Sequence, residues 1–147
     1  MNFDFIFLGQ SILKYQVPLD VFHSINYIYE YNFKNLKPAN EQLVGKIENE
    51  HSLFYNGQDE SKMKNHNLLP KNITNYFMTV FKHYLSFNKI REYQTHLNAV
   101  WVNEMKQHEY NPAHIHRGML FTGLSSVMIL KLPSTYGKEY SASHIKQ

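Results

Sequence analysis

The feature that most constrains the fold is a change of pattern close to Lys89. Upstream, apolar residues recur at helical spacing in two long stretches; downstream they crowd into short β-rich runs. "PLDVFHSINYIYEYNF" carries Val21, Ile25 and Ile28, with Phe22 and Tyr29, at the spacing of a helix face. Pro18 stands at its start, where a missing amide hydrogen costs a helix nothing. "LPKNITNYFMTVFKHYLSF" repeats the pattern, with Ile73, Phe77, Val80, Phe81 and Tyr84 on one stripe. After Lys89, "HLNAVWVNEMK" has the composition of a strand. "SSVMILKLP", a continuous apolar run ended by proline, predicts a buried strand in the middle of a sheet, and "KEYSASHI" one more. The layout predicts an α+β fold in a single domain, 1–147. Its front part, about 1–90, is helical, and an antiparallel β part follows over about 91–147.

The remaining stretches are less constrained. "FIFLG" and "SILKYQVP" predict short strands around a turn at Gly9. The tract from Asn35 to Lys71 carries most of the loop signals, with a short helix or strand around "LVGKIENE". A chain of 147 residues buries enough surface to need no covalent staple, and with no cysteine it has none. The net charge of +3 comes from lysines scattered singly, with no basic run. That distribution argues against nucleic-acid binding. The apolar N-terminal run is far shorter than the roughly 20 residues that a membrane helix needs. It also lacks the basic lead of a signal peptide. The expectation is a cytoplasmic protein with no membrane partner.

"EYNPAHIHRG" raises the sharpest functional question. On a strand, residues two apart share a face, so His114 and His116 would lie side by side, close enough for one metal ion. A chain with nine histidines also produces such a pair by chance. Both readings stand on spacing alone: two metal ligands, or two exposed imidazoles.

The surrounding stretch, "WVNEMKQHEYNPAHIHRGMLFTGLSSVMILKLP", resembles the double-stranded β-helix of the 2-oxoglutarate- and Fe(II)-dependent oxygenases. It looks closest to a group found in marine bacteria and phages, in which a Trp-containing strand precedes an NP-x-H-x-H turn. "SILKYQVPLDVFHSIN" and "EQLVGKIENEHSLF" resemble the helical front of that group, so the likeness runs from about Ser11 to Pro133. It implies N-terminal helices packed on a jelly-roll sheet. It also implies Fe(II) held by two histidines and a carboxylate, with 2-oxoglutarate as co-substrate, and oxidation of a C–H bond in an unspecified small-molecule or protein substrate.

Carried onto this chain, His114 takes the first-histidine position and His116 stands where the family's carboxylate usually lies. No aspartate follows Asp59, and Glu104, Glu109 and Glu139 lack the usual spacing. His144 is the one histidine beyond His116 and comes early for the family's distal ligand. The chain thus has the look of the front part of an oxygenase, and poor turnover by the chain alone is expected. The resemblance makes Lys131 a candidate for the far carboxylate of 2-oxoglutarate, and Asn103 a candidate to face the co-substrate. Trp101 is expected in the core, Tyr110 to Pro112 in a turn, and Arg117 at the surface. The other histidines, among them His51 and His83, are expected to be exposed or satisfied. Two alternatives remain: a non-catalytic binding or structural protein with half a jelly roll, and a cupin-like metal-binding protein. An incomplete β-helix would leave strand edges open to self-association.

Overall fold

Pro18 opens α1 (Leu19–Asn32), and the Phe22 amide donates to the Pro18 carbonyl at 3.0 Å to close the first turn. Val21, Ile25 and Tyr29, each four residues from the next, are its buried residues. They form the single face that the spacing predicts. The chain then tightens into a 3-10 turn at Phe33–Asn35. α2 (Lys71–Phe87) likewise follows a proline, with the Pro70 carbonyl accepting from Ile73 and Thr74. Ile73 and Leu85 are buried, and Phe77, Val80, Phe81 and Tyr84 between them are half-buried. The helix ends where Lys89 turns to φ 59° and the Ile90 amide reaches back to the Leu85 carbonyl at 3.0 Å. This six-to-one bond is the usual way of satisfying a last-turn carbonyl.

The computed structural model describes residues 11–38, 45–57, 64–112, 123–134 and 136. "FIFLG", "KEYSASHI", His114, His116 and Arg117 lie outside these residues. The chain divides into two compact units, Met1–His114 and Ile115–Gln147, and the helices and strands described here all belong to the first.

Four strands make one antiparallel sheet: β1 (Lys37–Pro38), β2 (Asn49–Tyr55), β3 (His66–Asn67) and β4 (Ala99–Glu104). β2 is the centre. β4 pairs with it from Asn49↔Glu104 to Tyr55↔Ala99, while β1 meets it at Ser52 and His51 and β3 at Phe54 and Tyr55. The register slips between Ser52 and Phe54, so Leu53 is an extra residue in a bulge. Ser52 and Leu53 are both buried there, as a bulge allows and strict alternation does not. Beyond β4 a turn through His108, at φ 69°, brings Tyr110 back to Lys46, and the two exchange both backbone bonds at 3.0 and 3.1 Å.

The α+β class holds, and the strand at "AVWVNE" falls inside the stretch predicted for it. Other expectations are corrected. The strands do not follow the helices as a block. The central one, β2, lies between α1 and α2, within a tract whose polar residues suggest loops. "SILKYQVP" forms no strand. Its burial alternates residue by residue, but it is tied to α2 by side chains: Tyr84 Oη donates to the Ser11 carbonyl at 2.9 Å, and Tyr15 Oη pairs with His83 Nδ1 at 2.7 Å. "SSVMILKLP" forms neither helix nor strand, and Val127, Ile129 and Leu132 are exposed. Apolar composition suits a pleated, half-buried surface but does not supply the neighbouring strand that makes one. Trp101, expected in the core, is 38% exposed.

Candidate functional site

The strand pairing sorts the polar residues of β2 and β4 onto two faces. Directly opposed residues point the same way. Glu50 and Asn103 therefore share one face with Ser52 and Trp101, and Asn49, His51, Val102 and Glu104 share the other. Glu50 is only 2% exposed, and burial pushes its carboxyl up to about 7. Its cross-strand neighbour Asn103 has a buried Oδ1 with no hydrogen-bond partner. An ionised carboxylate and a carbonyl oxygen are both acceptors, whereas the neutral carboxyl carries one donor. A protonated Glu50 is the form that suits this neighbour. A carboxyl that titrates near neutrality is also the kind of group that can pass a proton.

The opposite face is covered by the end of α1. The ring of His51 lies 5.0 Å from that of Phe33 and 6.0 Å from that of Tyr29, and its Nδ1 is buried without a partner. That contradicts the expectation of a satisfied histidine. Tyr29 Oη is also buried, against the Glu104 carboxylate. Burial, and then the nearby negative charge of Glu104, push the phenol well above its ordinary range. Glu104 itself accepts from Asn49 Nδ2 at 3.0 Å.

Of the residues singled out from sequence, Asn103 stands on β4, half-buried, and Lys131 is exposed in the second unit. His114 and His116 lie outside the described residues. Among the described residues no group of three histidine, cysteine, aspartate or glutamate side chains is placed to hold a metal ion. Tyr110, Asn111 and Pro112, expected in a turn, follow one instead: the turn is at Gln107 and His108, Tyr110 bridges to Lys46, and Asn111 and Pro112 continue the connection. It is held by Gly45, at φ 151°, where a Cβ would lie 2.6 Å from the Tyr110 carbonyl oxygen and 2.9 Å from Pro112 Cδ. Glu109, a late carboxylate, works inside the turn that precedes it. It accepts the Lys106 amide at 2.7 Å and the Glu48 amide at 3.0 Å, which holds its pKa below the ordinary range. His83 is satisfied by Tyr15.

Sequence reasoning missed Glu50, His51 and Tyr29 as a group. Tyr29 carried the one usable signal, a hydroxyl on the buried stripe of a helix. Glu50 closed the stretch "LVGKIENE", read as a short helix or strand, and His51 followed it in a tract rich in loop signals, so nothing marked either as buried. Comparison of the chain with protein-family models, with curated proteins and with solved structures finds no match.

Proposed function

We propose that this chain is a 2-oxoglutarate- and Fe(II)-dependent oxygenase-like protein with a jelly-roll-type β part. The observation that carries the reading is the stretch from Trp101 to Pro133, with its His-x-His pair and its resemblance to that family. Its first strand, β4, supports the reading by presenting Asn103 half-buried with an unpartnered polar atom. His114 and His116 would hold the iron, and Lys131 with Asn103 would meet 2-oxoglutarate. The fit of this donor set is partial. An exposed ammonium at Lys131 suits a carboxylate. The open Asn103 Oδ1 suits one only with its amide turned, so that nitrogen faces the anion. Bound together with oxygen, iron and 2-oxoglutarate supply the oxidation of a substrate C–H bond.

A second reading, a non-catalytic binding protein, is favoured by the exposed, unpaired run around Val127 and Ile129. Anaerobic titration with Fe(II), followed by metal analysis, separates the two. The oxygenase-like reading expects about one equivalent of iron per chain. Binding should weaken by about 10- to 100-fold or more in His114→Ala and in His116→Ala. 2-Oxoglutarate should bind the iron-loaded chain and be weakened in Lys131→Ala. Iron that binds equally well to wild type and both histidine variants would sink the reading. A site that retains zinc but does not respond to 2-oxoglutarate would indicate a cupin-like metal protein instead.

A further inference from the structure

We propose that Glu50 positions Asn103: its neutral carboxyl donates to Asn103 Oδ1 and so leaves the amide nitrogen to meet the carboxylate of an anionic ligand. The inference rests on the oxygenase-like reading, in which that ligand is 2-oxoglutarate. Glu50 acts through Asn103 and is a positioning residue, not a catalytic one.

Strand register brings the two residues together. Glu50 of β2 is the direct partner of Asn103 on β4. Side chains opposed in this way stand about 5 Å apart at Cβ, within the reach of a glutamate. Their settings differ. Glu50 is 2% exposed, whereas Asn103 is half-buried and Trp101, on the same face, is 38% exposed. The pair thus runs from a buried carboxyl to an amide that a ligand can reach. Asn103 Oδ1 is buried without a hydrogen-bond partner. A buried acceptor in that state is costly, and the group opposite it can supply the missing proton.

The two protonation states of Glu50 call for opposite ends of the amide. A neutral carboxyl has one O–H to give and takes the oxygen of Asn103; an ionised one only accepts and takes the nitrogen. In the first case the ligand meets N–H donors. In the second it meets a carbonyl oxygen, which repels an anion. A half turn of the amide exchanges the two. Burial raises Glu50 to about 7, so both states are populated on either side of neutrality. Of the charged and titratable residues on the strands around it, His51 and Glu104 stand on the opposite face. Lys37 of β1 is in register with Ser52, and His66 of β3 places Nε2 3.4 Å from the Ser52 carbonyl oxygen. Glu48, just ahead of β2, pairs with Lys106 at 2.8 Å.

The test has two readouts on the full chain. The first is the side-chain amide signal of Asn103 in the nitrogen-15-labelled protein, which needs neither iron nor ligand. The second is 2-oxoglutarate binding to the chain loaded anaerobically with Fe(II). In the wild type the Asn103 signal should titrate with a midpoint at about 7. In Glu50→Gln, which keeps an N–H donor at every pH, it should stay still. Wild-type affinity for 2-oxoglutarate, relative to that of Glu50→Gln, should fall about tenfold from pH 6 to pH 8, as the neutral fraction of Glu50 does. Taking the ratio cancels the titration of His51, His66 and the candidate iron ligands. Glu50→Leu removes the donor and should bind about three- to tenfold more weakly than the wild type at pH 6. An Asn103 signal that titrates with Glu50, with no 2-oxoglutarate bound at either pH, supports the pair and sinks the oxygenase-like reading. A wild-type Asn103 signal that ignores pH, or an affinity ratio to Glu50→Gln that is the same at pH 6 and pH 8, overturns the proposal.

Discussion

At Glu50, burial and strand pairing act on one carboxyl group. Burial raises its pKa from 4.5 to about 7, so folding favours the neutral form. Below about pH 4.5 the group is neutral in both the folded and unfolded states and costs nothing. As the pH rises to about 7 the unfolded chain ionises first, and stability is lost across that window. Above it the loss is constant. Glu50→Gln removes the ionisation and keeps a polar group beside Asn103. The variant should therefore match the wild type near pH 4 and be more stable by about 1–3 kcal/mol at pH 8. Thermal unfolding at the two pH values measures this. A gap that stays the same at both would mean that Glu50 ionises freely in the fold. His51 contrasts with it on the other face of the same strand, where its importance lies in an unpaired Nδ1 under the rings of Tyr29 and Phe33.

The elements depend on one position inside β2 and one ahead of it. Leu53, in the bulge, is 0% exposed, and Gly45 lies under the connection that leaves β4. Leu53→Ala should destabilise by about 2–5 kcal/mol through lost burial and a residual cavity. Urea unfolding should show a lower midpoint with an unchanged slope. A loss below about 1 kcal/mol would place Leu53 outside the core. The helices were legible in the sequence because each has a proline at its start and an apolar stripe that nothing interrupts. β4 was legible because "AVWV" packs β-branched and aromatic residues together. β2 was not, because its sequence, "NEHSLFY", carries four polar residues in a row. Its burial comes from the helices and neighbouring strands around it, a tertiary effect that composition does not carry. "SILKYQVP" failed in the opposite direction: its burial alternates like that of a strand, but its partners are Tyr84 and His83 of α2, reached through the Tyr84 and Tyr15 hydroxyls.

For the whole molecule, the features legible in the sequence and those that were not divide along the chain. The α+β class was readable from two helical patterns and one strand. His114 and His116 stand out in the sequence as a spacing and lie outside the described residues. The burial of Glu50 and that of Tyr29 against Glu104 depend on residues far apart in sequence, so no local pattern announces them. The largest disagreement is the run from Ser125 to Pro133, expected at the centre of a sheet. There Val127 is 86% exposed, with Ile129 and Leu132 also in solvent. Exposed apolar side chains in a contiguous run lower their free energy by meeting a second apolar surface. Another copy of the chain offers one. β4 adds to this, since among the described residues its second edge meets no strand. Self-association that strengthens with concentration is therefore expected, and sedimentation velocity over a tenfold range of concentration would show it. Val127→Lys combined with Ile129→Lys should shift the distribution towards monomer, because the new charges repel across the contact. Both positions are exposed, so the unfolding temperature should change little. If the double variant leaves the distribution as it was, association runs through the β4 edge. A wild type that stays monomeric throughout would mean that neither surface drives association.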